Sequence, residues 1–271
     1  MVNLNGELVT DATLRIENRA FKYGDGIYDT VKVIAGEVQF LEAHYFRLMA
    51  TMRILRMEIP MHFTLEFYEQ ELLKSIAKVN ISKTNRVRAS IYRTGEGLYT
   101  PKSNVISYVI ESSVYTDVSL KTYEIDIFKD FYISSTFLST LKTTNRIHNV
   151  LASIYADENK IQNCVLINEK KQLVEAANAN LFIIKDAVVI TPPLSEGCLN
   201  GIMRRKLIEF LQKTPEFELI EAPLLLTDLL QCQEVFITNS LIGIQSVTKF
   251  KKKDYKTELT QSIKATFEAL I

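Results

Sequence analysis

The apolar positions of this chain follow two rhythms, one of two residues and one of three to four, and changes of rhythm mark the elements. Val2 to Leu4 and Leu8 to Val9 flank Asn5-Gly6, a pair suited to a tight turn, which predicts a hairpin at the start. Ile27, Val31 and Val33, then Val38 and Phe40, keep a strand-like pattern around Ala35-Gly36 and predict a second hairpin. Leu41, Tyr45, Leu48, Met52 and Leu55 step by three and four, the spacing of one helix face, and predict a helix over 41–57. Another helix is predicted over 64–78, after Pro60, with strands over 86–92 and 105–111.

Residues 112–122 are polar and without period, which places a linker there. A strand over 124–128, a Ser/Thr-rich irregular stretch over 134–144 and a helix over 146–159 follow. Strands alternate with turns from 164 to 190, Gly201 opens a helix to about 213, 234–238 is a short strand, and the last fifteen or so residues are helical. Strands and helices mix in both halves, with no repeat and no low-complexity tract. The expected fold class is α/β (mixed α+β) in two domains, a small one over 1–115 and a larger one over 116–271. A crevice between two such domains is where a ligand is expected.

With 271 residues, 47% of them hydrophobic, the chain can bury a substantial core. Lys+Arg and Asp+Glu both number 32, so no basic excess exists to hold a polyanion and nucleic acid is not an expected partner. No apolar run approaches the length of a membrane span, and Met1 to Glu7 lack the start of a signal peptide, so no membrane partner and a cytoplasmic location are expected. Cys164, Cys198 and Cys232 are odd in number and far apart, which argues for buried free thiols. His44, His62 and His148 show no metal-ligand spacing, so no metal is expected, and no glycine-rich nucleotide loop occurs.

Several residues carry chemistry that their surroundings must decide. Lys142 precedes a predicted helix; most lysines are solvated charges, but a partly buried one forms imines with carbonyl groups. Gly201-Ile202-Met203-Arg204 opens a helix, whose first N–H groups either receive an ordinary cap or bind phosphate. Thr238-Asn239-Ser240 follows a strand and offers hydroxyl donors. Arg47 shares a helix face with His44 at a spacing of three, and a guanidinium grips phosphate with two bonds when it is not merely solvated. Glu175 lies between two apolar strand segments, where a carboxylate either caps turn amides or keeps a pyridine nitrogen protonated. Arg86, Arg88, Ser90 and Tyr92 alternate onto one strand face, either a solvent face or a surface for a substrate carboxylate.

Arg19-Ala20-Phe21-Lys22-Tyr23-Gly24-Asp25-Gly26-Ile27-Tyr28-Asp29-Thr30 resembles the N-terminal signature of class IV aminotransferases, enzymes that use pyridoxal 5'-phosphate. His44-Tyr45-Phe46-Arg47-Leu48 resembles the family's phosphate-arginine helix, and Leu141-Lys142-Thr143-Thr144-Asn145 its Schiff-base segment. Val174-Glu175 through Asn180-Leu181-Phe182 is similar to the strand carrying the pyridine-nitrogen partner, and Asn200-Gly201-Ile202-Met203-Arg204 and Thr238-Asn239-Ser240 to the two phosphate loops. These matches stand in the family's order. The resemblance implies a D-amino-acid aminotransferase-like fold-type IV enzyme, a homodimer with the cofactor between its two domains and a small-molecule amino substrate. It implies Lys142 as Schiff-base lysine and general base, Glu175 as the pyridine partner, and Arg47, the backbone of Ile202 and Met203, and Ser240 as phosphate ligands. Tyr28 and Arg88 are the candidate substrate residues.

Three activities occur in the family: branched-chain aminotransferase, D-amino-acid aminotransferase and 4-amino-4-deoxychorismate lyase, which serves folate biosynthesis. The phosphate loop resembles the lyase form, because transaminases more often carry threonine in place of Met203. Asn145-Arg146 and Thr238-Asn239-Ser240-Leu241 also look lyase-like. A second arginine that lyases carry near Gly97 is missing, and so is the arginine–histidine pair that D-amino-acid enzymes use there. Arg88 falls near the substrate arginine of branched-chain enzymes. A non-catalytic binding protein on this fold is disfavoured by the intact Lys142, Glu175 and Arg47.

Overall fold

The period-two segments near the N-terminus pair into one antiparallel sheet. In the computed structural model, which describes residues 1–77, 79, 81–116 and 120–269, these segments are β1 (Val2–Leu4), β2 (Glu7–Val9), β3 (Gly26–Ile34), β4 (Glu37–Val38), β5 (Thr84–Arg93) and β6 (Ile106–Val114). Their order is β2-β1-β6-β5-β3-β4. Helices α1 (Arg19–Tyr23), α2 (Leu41–Ile54) and α3 (Leu65–Ile76) complete this part of the chain. Ile27, Val31 and Val33 of β3 alternate onto the same face as Val87, Ala89 and Ile91 of β5, and Leu48, Met52, Leu72 and Ile76 from α2 and α3 close the core over them.

The chain divides into two compact units, Met1–Asp117 with Lys142–Asn145, and Val118–Leu141 with Arg146–Ile271. The tetrapeptide carrying Lys142 is tied to the start of β3. Tyr28 N–H donates to Lys142 O at 3.0 Å, Thr144 N–H to Gly26 O at 2.9 Å, and Thr143 bridges to Ile27. Gly24 ends α1 with φ 63°, and the Asn145 carboxamide lies 2.1 Å from where a Cβ would stand, so both conformation and space require glycine.

The second unit is built on a mixed sheet. Its elements are β7 (Glu124–Ile133), α4 (Ile147–Glu158), β8 (Asn163–Asn168), β9 (Leu173–Ala176), β10 (Ala179–Lys185), β11 (Val188–Thr191), α5 (Ile202–Leu211), β12 (Glu218–Glu221), α6 (Leu226–Gln231), β13 (Glu234–Asn239), β14 (Gly243–Val247), β15 (Lys249–Phe250), β16 (Lys253–Asp254) and α7 (Glu258–Glu268). The sheet runs β12-β11-β10-β9-β8-β7-β15-β16, with β13 paired to β10 and β14 to β13. Ala152 and Ala156 of α4 pack on Phe128, Cys164 and Leu166. The buried Glu234 carboxylate caps α7, accepting from Leu259 N–H at 2.9 Å and Thr260 N–H at 2.7 Å.

The fold is mixed α/β, and several boundaries differ from those the pattern predicts. The helix over 41–57 stops at Ile54, because Arg56 turns to φ 58° and Met57 N–H returns to Met52 O. Phe40 is the N-cap of α2 at φ 52° instead of a strand residue. Ser112, Ser113 and Val114, assigned to a linker, extend β6 because Val87, Arg86 and Asn85 pair with them. Residues 117–119 of that linker, Lys78 at the end of the second predicted helix, and residues 270 and 271 lie outside the described residues.

Candidate active site

In the first unit, the phase of β3 places Asp29 on the core face, between Ile27 and Val31, with 1% of its surface exposed. An ion there needs partners. Helix α2 supplies them from successive turns: His44 Nδ1 lies 2.9 Å and Arg47 Nη2 2.6 Å from Asp29 Oδ1, and Thr30 N–H donates to the same oxygen at 2.7 Å. Burial alone would push the Asp29 carboxyl up, but the Arg47 and His44 charges, the His44 hydrogen bond and the Lys142 ammonium together hold it well below the usual carboxylate range. An ionised carboxylate only accepts, so His44 Nδ1 carries a proton and donates.

The opposite face of β3 carries Tyr28. Arg88 Cζ lies 3.8 Å and Lys142 Nζ 4.5 Å from the centre of its ring. Arg88 Nε also donates to Ser90 Oγ at 3.3 Å, so the guanidinium is held from two sides. Tyr28, Arg88 and Lys142 therefore form one cluster on one sheet face. Arg93 belongs elsewhere: it bonds Asp25, Leu55 O and, at 3.0 Å, Asn104 Oδ1. Arg19 grips the same Asp25 at 2.8 Å and the carbonyls of Gly97, Leu98 and Tyr99. Both arginines hold Asp25, and Arg19 also braces the segment around Gly97.

In the second unit, strand register puts Glu175, Asn180 and Thr238 in one row across β9, β10 and β13, with their side chains on one face. All three are buried. Glu175 Oε2 accepts from Leu199 N–H at 2.8 Å, and Asn180 Nδ2 donates to Leu199 O at 2.8 Å, so one residue of the loop before α5 is clamped through both backbone groups. Helix α5 then starts at Ile202 with no side chain capping it. Its first N–H groups, at Ile202 and Met203, point at whatever binds the helix start. Thr238 Oγ1 is buried without a hydrogen-bond partner. Asn239, just ahead of the partly exposed Ser240, accepts from Leu241 and Ile242 N–H and fixes the second loop.

Sequence reasoning singled out Lys142, Arg47, Tyr28 and Arg88 in the first unit, and Glu175, Ile202, Met203 and Ser240 in the second. It gave no role to Asp29 or Asn180, and it offered Thr238 only as a hydroxyl donor of the second loop. Asp29 had a signal: it is a charge at an apolar phase of the Ile27–Val33 alternation. Asn180 had none, and the alignment of Asn180 and Thr238 with Glu175 had none, because only strand register creates it.

The model of the amino-transferase class IV family matches residues 26–250. The chain belongs to the class IV aminotransferase family. It is 29% identical over 245 residues to an aminodeoxychorismate lyase from Vibrio harveyi, covering 89% of each chain. It is 28% identical over 261 residues to a D-alanine aminotransferase from Listeria monocytogenes, covering 91% of this chain and 86% of that one. The branched-chain aminotransferase of Thermoproteus uzoniensis superposes with a TM-score of 0.90 at 21% identity, over 99% of this chain and 93% of that one. The fold is that of fold-type IV, and the protein is a pyridoxal-phosphate-dependent enzyme. Each unit holds groups of the kinds that cofactor needs: the first a lysine, the type of residue that binds an aldehyde, and the second a buried carboxylate suited to a pyridine nitrogen, an uncapped helix start suited to a phosphate, and an unpartnered buried hydroxyl. No group of three or more His, Cys, Asp or Glu side chains among the described residues could hold a metal ion, and no described helix is long and apolar enough to cross a membrane.

Proposed function

We propose that this class IV enzyme is a 4-amino-4-deoxychorismate lyase, releasing pyruvate and 4-aminobenzoate. The observation that carries the reading is the likeness to the Vibrio harveyi aminodeoxychorismate lyase along nearly nine-tenths of both chains, at 89% of each. Met203 in the phosphate loop supports it, standing where transaminases more often have threonine. Folate biosynthesis is the process such an enzyme serves, and a homodimer in the cytoplasm is its proposed working form.

Each residue then has a role. Lys142 Nζ attaches the cofactor, and Glu175 holds the pyridine nitrogen protonated. Arg47, the N–H groups of Ile202 and Met203, and the Ser240 hydroxyl hold the phosphate. Bound there, pyridoxal phosphate supplies an electron sink for the carbon next to the substrate nitrogen. Lys142 Nζ takes the proton from the amine-bearing ring carbon. The carbon–oxygen bond to the enolpyruvyl group breaks, the departing enolpyruvate gains a proton and becomes pyruvate, and the ring becomes aromatic. No water and no electron acceptor enters, so the products contain the substrate's atoms. Arg88, braced on Tyr28 beside Lys142, is placed to bind a substrate carboxylate.

That cluster also favours a second reading, an aminotransferase acting on branched-chain or D-amino acids, whose α-carboxylate Arg88 would bind. The branched-chain variant suits the chain better, since the arginine–histidine pair of D-amino-acid enzymes is missing near Gly97. Incubation with 4-amino-4-deoxychorismate alone decides between lyase and transaminase. The lyase forms 4-aminobenzoate and pyruvate in equal amounts with no keto acid added. Rapid conversion of the cofactor to its amine form by L-leucine or L-valine, without 4-aminobenzoate from the first substrate, overturns the lyase assignment. Borohydride treatment and peptide mapping check the attachment point, which is expected at Lys142.

A further inference from the structure

Arg47 has a long side chain, and a phosphate ligand of that kind loses rotamer freedom when it binds. In this chain the guanidinium is held before any ligand arrives, by the 2.6 Å bond from Nη2 to Asp29 Oδ1. Asp29 is held in turn by His44 Nδ1 at 2.9 Å, from one turn earlier in the same helix. His44 is fully buried, with 0% exposure, and Asp29 nearly so, at 1%. Neither touches solvent enough to serve solubility, and a salt bridge buried this deeply is weak evidence of stabilisation, because desolvation offsets much of the attraction. Apolar residues at both positions would pack against Ile27, Val31, Leu48 and Met52 without that penalty. The pair therefore calls for another explanation, and Arg47 is the group on which it acts.

Resting on Arg47 as a phosphate ligand, we infer that Asp29 and His44 are positioning residues that preorganise Arg47 for the cofactor's phosphate. The opposite effect of Asp29 is electrostatic: its negative charge reduces the positive potential that attracts a phosphate. Geometry and charge thus predict opposite signs for the same substitution. Removing the Asp29 charge without the preorganising role tightens cofactor binding; removing the preorganising contact weakens it. Geometry prevails, because a bidentate guanidinium–phosphate contact requires a set orientation, whereas one buried charge among several is partly screened by its own partners Arg47 and His44.

The test measures dissociation constants by equilibrium dialysis on the full chain stripped of cofactor, with pyridoxal phosphate and with pyridoxal, which lacks the phosphate. Asp29→Asn and His44→Leu are each expected to weaken pyridoxal phosphate binding by about tenfold, or about 1.4 kcal/mol, and to leave pyridoxal unchanged. In the Arg47→Ala background neither substitution has a further effect, because the group they position is gone. His44→Asn restores wild-type affinity, since its amide N–H can replace the Nδ1 donor. Tighter phosphate binding in Asp29→Asn, or equal losses for both ligands, overturns the inference. If Arg47→Ala weakens pyridoxal phosphate binding while Asp29→Asn and His44→Leu do not, this inference fails and the phosphate role of Arg47 stands. If Arg47→Ala changes nothing, both fail. Should Asp29→Asn not fold, the His44→Leu and His44→Asn pair carries the same comparison.

Discussion

Asp29 shows how one residue can be stabilised and exposed to acid at once. It sits among Ile27, Val31 and Val33, yet Arg47 and His44 keep it ionised and hold its carboxyl below the ordinary range against the opposing effect of burial. A carboxyl whose folded pKa is depressed contributes stability that is fully present above its unfolded pKa, about 3.9, and is lost as pH falls toward the folded value. Wild type is therefore expected to lose its stability advantage over Asp29→Asn progressively below about pH 5. Urea unfolding of both proteins from pH 7 to pH 2.5 checks this. A stability difference that stays constant over that range shows that folding does not depress the Asp29 pKa, and one that shifts in favour of wild type as pH falls shows a carboxyl that is neutral in the folded protein. Asp29 was visible in the sequence as a charge out of phase, but its partners were not, because their convergence depends on how α2 lies on the sheet.

Among the elements, the start of α5 shows why a glycine is needed where the backbone is ordinary. Gly201 has φ −68° and ψ 142°, angles that any residue adopts. A Cβ there would stand 2.0 Å from Asn180 Oδ1, and Asn180 cannot withdraw without releasing Leu199 O. Gly201→Ala is expected to cost about 1–3 kcal/mol of stability, the usual range for overpacking, and to weaken cofactor binding as the loop shifts. Asn180→Ala in the same chain removes the obstructing atom, so the double variant is expected to be more stable than Gly201→Ala alone. Thermal unfolding and cofactor titration of the three variants measure it; a double variant no better than the single excludes the steric account. The helix starting at Gly201 was legible from the apolar spacing that follows it. The clamp was not, because Asn180 and Leu199 are nineteen positions apart in the chain and meet only through the sheet.

For the whole molecule, the fate of the thiols reports global unfolding. Cys164, Cys198 and Cys232 are buried and free, and burial pushes their thiols up to about 12, about 12 and about 11. Thiolate is the reactive form, so native protein at pH 8 is expected to leave all three unmodified by a disulfide reagent over minutes, and denatured protein to react at three. Fast modification of one thiol in the native state would mark a local opening around that cysteine. Burial of all three accords with their expected status as free thiols. The tetrapeptide at Lys142 belongs to the first unit although more than twenty residues before it belong to the second. Its irregular sequence gave no hint of that, because its hydrogen bonds run to Gly26 and Tyr28, more than a hundred positions earlier.

Local rules sufficed for the hairpin at Asn5-Gly6, the amphipathic stretches of α2 and α3 and the helix starting at Gly201, because turn propensity and apolar period act over a few neighbouring residues. The ordered motifs likewise singled out Lys142, Arg47 and Glu175 as residues that a pyridoxal-phosphate enzyme of this family would need. The tertiary structure alone decided that Ser112, Ser113 and Val114 are strand, since β5 supplies their partners, and that Phe40 caps a helix. It also decided that Asp29 joins His44 and Arg47, and that Glu175, Asn180 and Thr238 form one row. Such arrangements depend on strand register and helix packing between residues far apart in sequence, which composition and spacing do not encode.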